Sequence, residues 1–161
     1  MSNNLYEIDV KRAVLADAED VLKVTKDAFL KYKEAAELDE NLAALKETLE
    51  DVKKDIEEKY VFIVRIDKET VGAVRVGRID EHTAYLSRFA VDEQHRNTGI
   101  GKMLMRVVDK VMTENDIKRL YLDTSSKVAA LIKFYYGRGF YITEVEYSRG
   151  YPRAKLLKEY L

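Results

Sequence analysis

The stretch Val91-Asp92-Glu93-Gln94-His95-Arg96-Asn97-Thr98-Gly99-Ile100-Gly101-Lys102 decides how this chain folds, because the hydrophobic period changes across it. Before it, residues 84–91 read as a strand. After it, Ile100, Met103, Leu104, Val107, Val108, Val111 and Met112 fall on one broad face, which predicts an amphipathic helix over 99–114. The first-turn N–H groups of such a helix have no intrahelical partner, and with the helix dipole they form an anion site. Gly99 and Gly101 remove two Cβ atoms, so a phosphate oxygen can come close to the backbone. Arg96 and Lys102 flank the loop with positive charge. The string is neither a Walker A sequence nor a G-x-G-x-x-G fingerprint. On these residues alone, a glycine-containing helix entry that binds nothing remains the plain alternative.

Upstream, Tyr6, Ile8 and Val10 alternate with charged residues as in a half-buried strand. Asp17 stands where a helix N-cap belongs, with Val21, Leu22 and Phe29 behind it. A polar joint at 33–37 leads into a second helix, whose stripe is Leu42, Leu45, Leu49, Val52 and Ile56. The period then shortens: 60–66 and 71–79 read as strands about a turn at 67–70, and Asp80-Glu81-His82 turns into the strand at 84–91. Connections this short favour an antiparallel meander.

Downstream, 120–123 is a short strand, 128–136 a short helix, and 140–147 with 154–160 a closing pair of strands. The order is β-α-α-β-β-β-α-β-α-β-β. The step through the 99–114 helix should be a right-handed crossover between parallel strands. The expectation is an α/β fold: a mixed sheet of about seven strands, antiparallel in its first half, flanked by four helices. No linker or repeat divides residues 1–161, which read as a single domain.

Composition narrows the function. Apolar residues are 47% of the chain, enough for a real core. The chain has no cysteine, which removes thiol catalysis and cysteine zinc sites. Lysine plus arginine number 28 against 29 acidic residues, without the basic surplus of a nucleic-acid binder. No apolar run approaches the ~20 residues that span a bilayer, and the polar N-terminus is not a signal peptide. The chain reads as soluble and cytoplasmic, without nucleic-acid or membrane partners. Two isolated histidines, His82 and His95, make no metal site.

Arg96-Asn97-Thr98-Gly99-Ile100-Gly101 resembles the Arg/Gln-x-x-Gly-x-Gly/Ala pyrophosphate loop of the GNAT superfamily of N-acetyltransferases. Ala130-Leu131-Ile132-Lys133-Phe134-Tyr135-Tyr136-Gly137-Arg138-Gly139-Phe140 resembles that family's helix-to-strand signature, Phe-Tyr, three residues, then Gly-Phe. With the order of elements, the resemblance covers nearly the whole chain. It implies acetyl-CoA as co-substrate, no metal, direct transfer of the acetyl group to a primary amine of a small molecule or protein, and a homodimer as one open assembly. It assigns coenzyme binding to Arg96, Asn97, Thr98, Gly99, Ile100, Gly101 and Lys102. It also assigns the backbone of the strand carrying Phe89 and Val91, with an N–H near Phe89 facing the thioester carbonyl.

Tyr135 is then the candidate acid for the leaving thiolate, against a plain core-packing role on the face it shares with Val128 and Ile132. One departure is Val128, at the place where many relatives carry asparagine; Ser125 or Ser126 could supply a polar contact instead. Asp123 is the candidate base that deprotonates the amine, a cap or turn carboxylate being the plainer reading. A non-catalytic acyl-CoA-binding module is the rival function. For the acceptor, an acidic joint carrying Glu34, Glu37, Asp39 and Glu40 would suit a cationic amine. The segment with Arg149, Tyr151 and Arg153 around Pro152 borders the same side.

Overall fold

The computed structural model describes residues 7–38 and 42–161. Its elements are β1 (Ile8–Arg12), α1 (Ala18–Ala35), α2 (Ala43–Lys46), α3 (Leu49–Glu58), β2 (Tyr60–Ile66), β3 (Glu69–Arg78), β4 (Thr83–Val91), α4 (Ile100–Glu114), β5 (Arg119–Ser125), α5 (Ala129–Gly137), β6 (Tyr141–Glu146) and β7 (Arg153–Glu159). They build one seven-stranded mixed sheet in the order β1-β2-β3-β4-β5-β7-β6, as the α/β reading expects. Tyr6, expected in the first strand, lies outside the described residues. Among the described residues, no helix is long and apolar enough to cross a membrane.

β2 is the buried centre of the first half. Phe62 and Val64 pack on the face covered by α4, while Val61 and Ile63 pack on the opposite face against Val21 and Val24 of α1 and Val52 and Ile56 of α3. A strand covered on both faces reads as an unbroken apolar run, and Val61-Phe62-Ile63-Val64 is one. The turn into β3 narrows to Asp67 and Lys68, whose φ values of 49° and 72° are the left-handed pair that a tight hairpin needs. β7 lies between β5 and β6, an order the sequence leaves open. Ala154, Leu156 and Leu157 of β7 are buried, whereas β6 is largely exposed, so β6 takes the edge.

One local expectation is corrected. The second helix is two, α2 and α3. The Thr48 and Asp51 side chains each accept from the other's backbone N–H, at 3.2 and 2.9 Å, a capping box that starts α3 afresh. The break turns Glu47 inward, where its Oε2 lies 2.6 Å from Arg75 Nη1 in the interior. Asp17 holds the N-cap position of α1, as expected, although its side chain caps no α1 amide. Its carboxylate accepts from Val14 N–H at 2.8 Å and pairs with Arg65 and Lys11, holding the short turn ahead of α1 to β1 and β2. These bonds hold the Asp17 carboxyl below the usual range against its burial, the largest influence and an opposing one.

α4 sits close on β3 because Gly72 has no side chain. A Cβ there would stand 2.9 Å from Ile100 Cγ2 and 3.2 Å from Leu104 Cδ1. The first residue of α4, Ile100, is thereby seated on the sheet, only 2% exposed. Gly72→Val should therefore lower the unfolding free energy by about 1–3 kcal/mol, the usual cost of overpacking. Gly77→Ala, whose Cβ would meet only Lys59 methylenes at 3.4 Å or more, should change it by less than about 0.5 kcal/mol. Denaturant unfolding of both variants checks the pair; equal effects would mean that the α4–β3 approach is not tight.

Candidate functional site

β4 and β5 are parallel neighbours over only three residue pairs, Thr83↔Arg119, Ala84↔Leu120 and Tyr85↔Tyr121. Beyond Tyr85 they diverge. A bulge on β4 begins the divergence: Ala73 and Arg75 of β3 oppose Ala90 and Ser87, so β4 carries one extra residue there, and Arg88 takes φ 52°. The opening is a cleft of about 800 Å³ whose walls include β4 from Tyr85 to Phe89, β5 from Leu122 to Thr124, α1, α5 and the loop entering α4. Among the described residues, no ladder bond joins β4 to β5 past Tyr85, so the β4 edge presents backbone groups to whatever enters.

At one end of the cleft stands the glycine loop. Asn97 and Gly99 adopt φ 62° and 90°, and α4 begins at Ile100 with Gly99 in the N-cap position. A Cβ on Gly99 would meet nothing within 4 Å, so the approach to the α4 N-terminus is open. Gly101 answers a different demand: its Cβ would stand 3.1 Å from Phe134 and 3.2 Å from Phe89, so its missing side chain lets two rings close on the helix. Of the residues singled out in the sequence, Phe89, Val91, Arg96, Asn97, Gly99, Gly101, Lys102, Asp123 and Tyr135 line the cleft. Thr98 and Ile100 do not. The Thr98 hydroxyl donates to the His95 carbonyl and shapes the loop, while Ile100 faces the core.

Tyr135, on α5, is both cleft wall and core. It is 5% exposed, and its ring meets Phe134, Phe140 and Phe89 edge-on at centroid distances of 5.5, 5.7 and 6.0 Å. Burial first, and the Tyr32 phenol second, push its pKa well above the usual phenol range, so it is a protonated phenol at any ordinary pH.

The serines beside Val128 are already engaged. Ser126 Oγ donates to the Pro152 carbonyl at 3.2 Å, and Ser125 Oγ accepts from Lys127 N–H at 3.2 Å. The polar group that sequence reasoning missed is Tyr32 of α1, which lines the cleft and accepts the Ser125 N–H at 2.8 Å.

At the other end, Asp123 is neither a cap nor a turn residue; it lies within β5. Its Oδ2 accepts from the Tyr85 hydroxyl and lies 3.2 Å from Arg153 Nη2. Burial, then the bond to Asp123, push the Tyr85 phenol far up as well. Tyr85 is the second residue the sequence reading missed, although Tyr85 and Asp123 are the polar positions of strands whose other face holds Leu86 and Leu122. Arg149, Tyr151 and Arg153 line this end. The described carboxylates of the joint do not: Glu34 pairs with Lys31 at 3.9 Å, and neither it nor Glu37 reaches the wall. Asp39 and Glu40 lie outside the described residues. His82 and His95 pair with Asp116 and Asp92 through Nδ1, at 3.4 and 3.2 Å.

Residues 22–140 match the acetyltransferase (GNAT) family. The chain is similar to the uncharacterized protein YyaT of Bacillus subtilis, 26% identical over 94% of this chain and 96% of that protein. It is also similar to human N-alpha-acetyltransferase 30, 31% identical over 49% of this chain but only 23% of that protein. Among solved structures, the PaiA N-acetyltransferase of Thermoplasma acidophilum in complex with coenzyme A superposes with a TM-score of 0.78. That match covers 96% of this chain and 99% of that one at 19% identity, and it shows the shared fold.

The phenols with raised pKa values give a checkable titration. Tyr85, Tyr135 and Tyr160 all hold their protons above the ordinary phenol value of about 10. Just above pH 10 the unfolded chain has therefore lost protons that the native protein keeps, and stability must fall as pH rises through that region. Ultraviolet titration of the native protein should show these phenolates missing until it unfolds, and Tyr135→Phe should remove one late-titrating group. All 11 tyrosines ionising together near pH 10 in the native state would contradict the buried, protonated Tyr135.

Proposed function

The chain belongs to the GNAT acetyltransferase family, and from that premise we propose that it moves the acetyl group of acetyl-CoA directly onto a primary amine bound in this cleft, residues 1–161 acting as one domain. The observation that carries the reading is the unpaired edge of β4 ending at an open helix N-terminus. A pantetheine arm is a chain of amides, and the β4 backbone from Ser87 to Val91 can pair with it as a missing strand would. The pyrophosphate fits the open approach over Gly99, against the N–H groups of Ile100, Gly101 and Lys102, with Arg96 and Lys102 supplying charge.

The thioester contributes an acyl carbon activated for attack and a thiolate leaving group. The chain's residues do the rest. The backbone N–H near Phe89, on the bulged strand, donates to the carbonyl oxygen as negative charge gathers there. Asp123, braced by Tyr85 and Arg153, takes the proton that the ammonium must lose before its nitrogen can attack. Attack forms the C–N bond, the C–S bond then breaks as Tyr135 gives its proton to the departing sulfur, and the second proton shed by the acylated nitrogen restores the Tyr135 phenol. The phenyl rings of Phe89 and Phe134 keep water from the acyl carbon, which favours the amine over hydrolysis.

Two variants test this. Coenzyme A at ~100 times its dissociation constant should stabilise the wild-type fold by about 2.7 kcal/mol, and Gly99→Val should lose most of that shift. Equal shifts in both proteins would remove the phosphate from this loop. Tyr135→Phe should bind coenzyme A within a few-fold of wild type yet slow single-turnover acetyl transfer by about 10²-fold, the scale of general-acid catalysis. An unchanged single-turnover rate would return Tyr135 to packing alone.

A further inference from the structure

Resting on the acetyl-transfer reading, we infer that the acceptor is a primary amine that carries a carboxylate a few atoms from its nitrogen. The charges at the end of the cleft away from the phosphate loop point to it. Besides Arg96 of the phosphate loop, three guanidinium groups, Arg88, Arg149 and Arg153, line the cleft, with Asp123 as its one lining carboxylate among the described residues. Arg88 is balanced from behind the wall, and Arg153 both from behind it and by Asp123 within the cleft. Arg88 Nε lies 3.3 Å from the buried Glu47, and Arg153 Nη1 lies 3.8 Å from Glu146; neither glutamate lines the cleft. An entering molecule therefore meets guanidinium N–H donors, which suit a planar carboxylate held by two parallel bonds.

Arg149 comes from the loop between β6 and β7 and lines the same cleft as Asp123 and Arg153. The spacing of these last two sets the distance within the acceptor. The nitrogen must lie beside Asp123 to lose its proton, and Arg153 is 3.2 Å from that carboxylate. A group one salt-bridge length from the reacting amine is within reach of α- and ω-amino acids and of peptides whose first residue is acidic.

A polyamine or an extended lysine side chain fits poorly. Its second cation would have to stand among the three arginines, and the described carboxylates of the α1–α2 joint, Glu34 and Glu37, are off the wall. Like charges brought that close disfavour the partner. The cationic acceptor suggested by the acidic joint is thus the weaker choice.

The test compares matched acceptors that differ only at one group: a carboxylate, its primary amide, and an aminomethyl group in the same place. Coenzyme A thiol release gives kcat/KM for each, with free amino acids in one arm and short peptides bearing an acidic or amidated first residue in the other. The carboxylate should exceed its amide by about tenfold or more in at least one arm, as expected for charge-assisted hydrogen bonds, and the diamine should be slowest. Preference in either arm alone, or in both, supports the inference and fixes the acceptor's size. Arg149→Gln should bring the carboxylate-to-amide ratio down to within about threefold, chiefly through KM, and Arg149→Lys should restore part of it. Amides or diamines that match or outrun the carboxylates would overturn the inference while leaving acetyl transfer intact. No thiol release with any amine, despite a coenzyme A thermal shift, would instead overturn the transfer reading on which it rests.

Discussion

The sheet is interrupted where β4 and β5 part after Tyr85 and Tyr121, and every feature of the cleft depends on that parting. A continuous ladder there would fill the site with its own hydrogen bonds. Two things hold the strands apart. The extra β4 residue turns Ser87 to Ala90 out of line, at the cost of a left-handed Arg88. On the far side, α5 and the α4 N-terminus bring Phe134 and Tyr135 against Phe89, so aromatic packing replaces strand pairing as the bond between the two halves. Gly72 and Gly101 make that packing possible by letting α4 approach β3 below and the rings above.

The bulge is tied from behind by charge. Arg75 of β3 is fully buried, with Nη1 2.6 Å from Glu47 and 2.9 Å from Asp55, and Glu47 also lies 3.3 Å from Arg88. Such a network contributes little net stability, since desolvation offsets most of the attraction. Here it also leaves Arg75 Nε, Arg75 Nη2 and Glu47 Oε1 without hydrogen-bond partners among the described residues, which adds to its cost. What it supplies is position: it fastens the α2–α3 break, β3 and the bulged residue of β4 to one another. Removing one member would strand a buried charge.

The sequence showed the scaffold more clearly than the site, and the reason is physical. β2 was legible to the residue because burial on two faces writes an unbroken apolar run, and α4 because burial on one face writes a wide stripe. The α2–α3 break was hidden because Thr48 and Asp51 sit inside a stretch of alternating charges, where a capping box looks like any solvated helix face. Gly101 was read as room for a phosphate because the rings that need its space lie far away in sequence or on another strand. Tyr32 and Tyr85 were missed for the same reason: their partners Ser125 and Asp123 are 93 and 38 positions away. Local rules do not reach that far, whereas the two loop motifs are each contiguous and could be recognised as they stand.

The burial of Tyr135 raises a question for the proposed acid role, because a phenol held above its ordinary pKa gives up its proton reluctantly. Each pKa unit by which a donor exceeds its acceptor costs about 1.4 kcal/mol, and a thiolate in water is a weaker base than a phenolate. The comparison in water is the wrong one. A sulfur leaving against Phe89, Phe134 and Tyr135 enters the same apolar surroundings, and desolvation raises the basicity of that thiolate as it raises that of the phenolate. Much of the mismatch therefore cancels inside the pocket. What does not cancel is the penalty for any free anion there, whether phenolate or thiolate. The proton must consequently move while the C–S bond is breaking, and Tyr135 must take up the second proton of the acylated nitrogen as it gives its own, so that neither anion persists. A buried phenol, kept protonated and unable to ionise on its own, is well suited to such a step, and a solvated acid at the mouth of the cleft would not be.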